Sequence, residues 1–154
     1  MAGNRTVILM ITLAKLQDAN AAVRARALRA LRRTLGPAEL AQHAEVVVAL
    51  LEDTDACVRA EVVMTLHKLE PATFAQHAGA VVAKLDDSDF DVRGDALQTL
   101  VKLEPFFFAQ HADALVSRLD DSDRTVCSRA AQALRMLDPA TIAPHVVESL
   151  GRIV

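Results

Sequence analysis

Apolar residues recur at helical spacing along this chain, and the whole pattern then recurs. Phe74, Ala78, Val81, Val82 and Leu85 stand at offsets 0, 4, 7, 8 and 11, one face of a helix. Leu40, Ala44, Val47, Val48 and Leu51 repeat these offsets earlier, and Phe108, Ala112, Leu115, Val116 and Leu119 repeat them later. A second register follows each time: Val58, Val62, Val63, Leu66 and Leu69; then Val92, Ala96, Leu97, Leu100 and Leu103; then Val126, Ala130, Ala131, Leu134 and Leu137. Val23, Ala27, Leu28 and Leu31 are the matching set of the first unit. Each unit therefore reads as a helix A and a helix B. His43, His77, His111 and His145 mark the period of 34 residues, and the first unit gains one residue before Gly36-Pro37. A period in this range predicts stacked supersecondary units. The expected units are about 6–36, 37–70, 71–104 and 105–138, with a half unit over 139–154, all in one domain over 1–154.

The residues between the registers punctuate them. Thr54, Ser88, Ser122 and the Asp residues after them are N-cap types at the start of helix B. Ser88 with Asp91 approximates a capping box, with Asp in place of the usual Glu. Pro37, Pro71, Pro105 and Pro139 stand where helix A begins. Arg33, Lys68, Lys102 and Arg135 stand near helix B C-termini, where the dipole favours cations. Arg24, Arg59 and Arg93 break this logic, because each follows the first apolar Val of helix B near its N-terminus. Their recurrence calls for compensation from the turn acids Asp53, Asp55, Asp87 and Asp89, within a repeat or across to the next. The expected result is an Asp–Arg ladder of Asp53, Asp55, Arg59, Asp87, Asp89 and Arg93. Cys127 takes the Arg place in the fourth unit, with Arg124 and Arg129 as nearby substitutes.

The run Asp-x-x-Val-Arg-x-x-Ala-Leu-x-x-Leu, from Asp89 to Leu100, resembles the second helix of a HEAT repeat. The short, Asp-rich form is similar to the HEAT-like repeats of phycobilisome lyase subunits. The resemblance spans essentially the whole chain. It implies an all-α fold, a right-handed α-α superhelix of four helix pairs plus a terminal half repeat, with the B helices lining its concave surface. It carries over no catalytic residue.

Composition agrees with closely packed helices. Ala, Leu and Val dominate, aromatics are 3%, and apolar residues reach 52%, which argues against disorder. Net charge is −3, but its distribution is uneven. Residues 1–36 hold seven basic groups against Asp18 alone, a net +6, which leaves −9 for the rest. Cys57 and Cys127 lie two repeats apart, beyond disulfide reach if helix layers stack at about 10 Å. Two unpaired thiols point to a reducing compartment and a cytoplasmic protein. The longest apolar run, Val7 to Ala14, is too short to span a membrane and reads as the first helix A.

Several chemistries are unsupported. Zinc needs ligand atoms about 2 Å from one ion, whereas the periodic histidines should stand about 10 Å apart in successive repeats. His67 is off register and is expected at the surface. Asp87, Asp89 and Asp91 mimic the start of an EF-hand loop, but Val92 stands where Gly is needed and Gln98 where a bidentate Glu is needed. No phosphate loop, nucleophile elbow or Cys-x-x-Cys occurs, so neither an enzyme nor a cofactor is expected.

Binding is the remaining reading. Arg26, Arg29 and Arg33 share one face of the first helix B, with Arg32 beside Arg29. The equivalent outward positions elsewhere are mixed (Glu61, Met64 and His67; Asp95, Gln98 and Val101; Arg129, Gln132 and Arg135), so no basic stripe continues. Phe106 and Phe107 occupy places held elsewhere by Ala, Thr or Glu and form a candidate apolar anchor or local filling. The expected partner is another protein, with an acidic segment as the favoured target. Nucleic acid held by the arginines is the alternative, and an accessory role in an enzyme such as a bilin lyase is a third. The nearly all-apolar first helix and the apolar Ile153-Val154 end suggest self-association or a longer array.

Overall fold

The computed structural model describes residues 2–104 and 108–140. Two compact units divide the chain, Met1–Glu70 and Pro71–Val154. Every regular element among the described residues is helical.

In the first unit, α1 (Ala2–Ala14) runs into a 3-10 turn at Lys15–Gln17 and is followed by α2 (Ala21–Thr34). Then come α3 (Pro37–Ala41), α4 (Ala44–Ala49) with a 3-10 turn at Leu50–Glu52, and α5 (Ala56–Leu66). In the second unit, α6 (Pro71–Ala75) and α7 (Ala78–Ala83) lead through Lys84–Asp86 to α8 (Phe90–Leu100). Next come α9 (Ala112–Ser117), the turn Arg118–Asp120 and α10 (Arg124–Leu134). The B helices are α2, α5, α8 and α10, and they pack as α2 on α5 and α8 on α10.

Helix A is not one continuous helix in the later repeats. It is expected as a single face, but it breaks at His43, His77 and His111. The backbone there leaves the helical basin, with φ near −118°, −110° and −108°. Each first piece closes with an i→i+3 bond, from the His43 N–H to Leu40 (2.9 Å), from His77 to Phe74 (2.9 Å) and from His111 to Phe108 (3.1 Å). The break does not disturb the core face: Leu40, Val47, Phe74, Val81, Phe108 and Leu115 are all buried. Leu119 departs from its column, at 40% exposed where Leu51 and Leu85 are buried. Val23, Val48, Val82 and Ala131 are also only half-buried.

The B-helix caps are one residue later than the first N-cap types. Asp55, Asp89 and Asp123 are the N-caps, with Asn20 in the first unit. Asp89 accepts from the Asp91 and Val92 amides at 3.0 and 3.2 Å, so the Ser88–Asp91 box is not the one used. A Glu that reaches back does occur at helix A, where the Gly36 N–H donates to Glu39 Oε2 at 3.1 Å, with Pro37 next at N1. Lys68 leaves its own helix and donates to the Arg32 carbonyl at the end of α2 (2.7 Å).

One column of α5 and α8 carries a buried hydroxyl. Thr65 donates to the Glu61 carbonyl at 2.6 Å, whereas the hydroxyl of Thr99, one repeat on and fully buried, has no partner. An unmade buried hydrogen bond costs about 1–3 kcal/mol. Thr99→Val is therefore expected to raise stability by about 1 kcal/mol, and Thr65→Val to lower it. Thermal and denaturant unfolding of the two variants reads the opposite signs.

Candidate functional site

The recurrent arginine does two things at once. Arg24 Nη1 donates to the carbonyls of Asp18 (2.8 Å) and Ala19 (3.1 Å) in the turn before its own helix. Arg59 donates likewise to Asp53 and Thr54 (2.9 and 3.3 Å), and Arg93 to Asp87 and Ser88 (2.9 and 3.3 Å). These carbonyls lie in the extended link between the 3-10 turn and helix B, so the guanidinium meets them as a charged hydrogen-bond donor.

The other edge of the guanidinium reaches the next repeat. Arg24 grips Asp53 through Nε and Nη2, both at 2.7 Å. Arg93 grips Asp121 in the same fork, at 2.9 and 2.6 Å. Such a two-point grip is the strong form of the charge-assisted hydrogen bond. Asp53 and Asp121 also accept the Asp55 and Asp123 amides, both at 2.9 Å, so each carboxylate is oriented before the arginine arrives. Asp18 and Asp87 make the same turn with Asn20 and Asp89.

The expected ladder residues therefore divide by role. Asp53 takes an arginine from the repeat before it, Asp55 and Asp89 cap helices, and the Arg93 fork closes on the Asp121 carboxylate while its Nη1 donates to the Asp87 carbonyl. Asp121 is absent from the expected set, although it shares the column of Asp53 and Asp87. In the fourth repeat the Cys127 thiol donates to the Asp121 carbonyl at 3.0 Å, keeping half of the arginine's task. Arg124 is exposed, and Arg129 runs to Asp95 on α8 (3.0 Å), so neither substitutes for the missing arginine. Arg118 instead joins Asp121 from its own repeat, at 3.6 Å, while also meeting Asp86 at 3.1 Å. Gly94 makes room for Arg129, since a Cβ there would meet its Nη1 at 2.7 Å.

Both carboxyls are held below their ordinary value of 3.8, Asp53 chiefly by the hydrogen bonds from Arg24 and Asp121 chiefly by those from Arg93. Arg24 and Arg93 are correspondingly held more firmly charged, first by those same hydrogen bonds.

The arginines of α2 are not equivalent. Arg29 Nε meets Glu61 Oε1 of α5 at 2.6 Å, and Arg32 meets Glu61 Oε2 at 3.3 Å. Arg26 and Arg33 are exposed and make no ion pair among the described residues. A hollow of ≈ 310 Å³ lies beside Arg26 and Arg29, lined also by Ala22, Ala25 and Cys57. Phe106 and Phe107, like His145 and the half unit from Thr141, lie outside the described residues. Phe90 is exposed. His67 is half-buried, not at the surface, because it closes α5 as its C-cap. His43, His77 and His111 make no side-chain capping bond, and burial pushes the His111 imidazole below its ordinary range.

Helix pairs in repeating registers, with apolar faces turned to neighbouring pairs, define an α-solenoid repeat fold. Among solved structures, the chain is similar to an engineered protein, at 22% identity and TM-score 0.69 over 93% of this chain and 68% of that one. It is also similar to a designed armadillo repeat protein in complex with the peptide (KR)4, at 20% identity and TM-score 0.66 over 91% and 69%. The profile of the family described as HEAT repeats matches residues 10–100, and the chain belongs to that family. A search of curated proteins gives no match.

The buried grip of Arg93 on Asp121 sets a stability expectation. Their side chains are 9% and 3% exposed, so removing one leaves the other charge buried without its partner. Asp121→Ala is expected to cost about 3 kcal/mol, read as a lower midpoint in urea. The pH dependence has a definite sign. A folded pKa below the unfolded 3.8 means that the unfolded chain takes up the proton first. The pair's stabilisation is complete above about pH 4 and drains away as pH falls through the depressed folded value. Asp121→Asn should flatten that acid limb of the stability curve, and an unchanged limb would contradict the assignment.

Proposed function

We propose that this chain is a non-enzymatic, cytoplasmic binding module and scaffold that holds an acidic segment of another protein on the B-helix surface of its first repeats. The observation that carries this reading is the division of labour among the α2 arginines. Glu61 fixes Arg29 and Arg32 in place, while Arg26 and Arg33 keep their charge open to a ligand. The small side chains of Ala22 and Ala25 beside them allow close approach of a peptide backbone. Membership of the HEAT-repeat family supports a binding role, since folds of this class are typically non-enzymatic protein-binding scaffolds. The designed armadillo repeat protein of similar fold holds a basic peptide; here the basic side chains belong to the protein, and an acidic ligand is the complement. Phe106 and Phe107 are proposed as an apolar anchor for the same partner.

Two other readings share parts of this support. The basic first repeat also suits a nucleic-acid phosphate backbone, although Glu61 already offsets part of the charge. The short Asp-rich repeats support a likeness to phycobilisome lyase subunits, and with it an accessory role beside an enzyme such as a bilin lyase, which a chromophore-transfer assay with a partner subunit would test.

Binding of a fluorescent polyglutamate peptide tests the leading reading. Changing Arg26, Arg29 and Arg33 to Glu together should weaken it at least about tenfold, roughly 1.4 kcal/mol. Unchanged affinity would remove the charged surface from the account. Preference for an oligonucleotide over the peptide, with affinity falling steeply with salt, would move the assignment to a polyanion binder.

A further inference from the structure

A second groove lies between α1 and α2. Ile8, Leu9, Leu31 and Leu35 form the apolar part of a hollow of ≈ 490 Å³. Thr12 and Ala30 line this hollow and also a second of ≈ 320 Å³, so the two join end to end. Arg5 stands in the first stretch, and Lys15 and Arg26 stand in the second. The groove thus has an apolar middle and a cation at each end.

The residues of α1 depart from the repeat columns in a way that suits a wetted rim. Leu40 and Val47, one repeat on from Arg5 and Thr12, are buried core residues. In α1 those two places are polar, while Val7, Ile8, Met10 and Ile11 are each more than half exposed. About one and a half turns of exposed apolar helix beside an open groove form a surface suited to a helix laid along it. Charge selects the occupant. From α1 through its 3-10 turn the chain carries Arg5 and Lys15 and no acid, and residues 1–36 total +6. Arg5 gives one nitrogen to Glu39 (2.8 Å) and keeps its side chain 66% exposed. Two copies of this face would repel each other, whereas an acidic helix is attracted.

We propose that the α1–α2 groove docks an amphipathic helix of a partner protein. Its apolar stripe lies on Ile8, Leu9 and Leu31, and acidic residues at its two ends meet Arg5 and the Lys15–Arg26 pair. Arg5 and Lys15 are ten residues apart along one helical path, about 15 Å or three turns. The partner's acids are therefore also about three turns apart, with apolar residues about one and two turns between them. This surface shares Arg26 with the α2–α5 face, whereas Ile8 and Lys15 line this groove alone and Arg33 lines neither stretch of it, so substitutions at those residues tell the two assignments apart.

The probe is a synthetic helical peptide of about four turns, with leucines along one face and a glutamate at each end of that face. Titration by fluorescence anisotropy is expected to show saturable binding. Ile8→Glu, at an exposed position, should weaken it at least about tenfold. Lys15→Glu should weaken it several-fold, and lysine in place of the peptide's facing glutamate should restore the loss. Arg33→Glu, at a residue that lines neither stretch of this groove, should leave this peptide's affinity unchanged. Absence of saturable binding to the unaltered chain overturns the proposal. So does lack of charge-swap rescue, or self-association in the ultracentrifuge that Ile8→Glu abolishes, which would assign the groove to a second copy. Tighter binding to anionic vesicles than to the peptide would assign it to a lipid surface and overturn the proposal as well.

Discussion

One guanidinium placed four residues into a helix B ties a turn to itself and to the turn that follows. Arg24 and Arg93 each spend one edge on the carbonyls that follow the preceding 3-10 turn and the other on an Asp of the next repeat. The carbonyls lie in the extended link before helix B and take a charged donor, and the Asp needs a cation because its surroundings bury it. Neither demand alone accounts for an arginine near a helix N-terminus. Together they make the residue type useful at Arg24 and Arg93, and Arg59 meets the carbonyl demand in the repeat between. The geometry also explains why the Asp is presented as a turn acceptor: the amide two residues on fixes its carboxylate before the fork closes.

That constraint shapes the surface as well as the core. Charge inside the ladder is matched and largely withdrawn from solvent, so it has little to offer a ligand. On α2 the cations left exposed without an ion pair among the described residues are Arg26 and Arg33. Glu61 and Asp95 occupy equivalent places on successive B helices, and each receives an arginine from a neighbour, Arg29 for the first and Arg129 for the second. Arg26 and Arg33 fall outside this pattern. A basic helix that looks uniform along the chain therefore holds three arginines fixed by carboxylates, Arg24, Arg29 and Arg32, and two open ones, Arg26 and Arg33.

The registers of 0, 4, 7, 8 and 11 located the core of helix A, because burial follows helical phase even across the break at His43, His77 and His111. The break itself was not legible. It depends on the balance between continuing a helix and closing it with a 3-10 bond to Leu40, Phe74 or Phe108, and several residue types tolerate either. The cap positions were legible to within one residue, since Ser88 and Asp89 are both N-cap types and only the path of the chain chooses between them. Asp121 as the partner of Arg93 was within reach of the column argument, because it repeats Asp53 and Asp87. The role of Arg118 was not, because its column reads Leu50, Lys84 and Arg118 and announces no acidic partner.

What the amino-acid sequence determined by itself is the repeat: its length, its two helices, its apolar faces and the identity of the residues in each turn. Those follow from local phase and local backbone preference, and both are written in nearest neighbours. Which carboxylate each arginine meets was decided by tertiary structure, because the partner lies 28 or 29 residues away and only stacking brings it near. The same stacking decided which surface cations are spent on Glu61 and which stay open. It also left the hydroxyl of Thr99 buried without a partner while that of Thr65 found one.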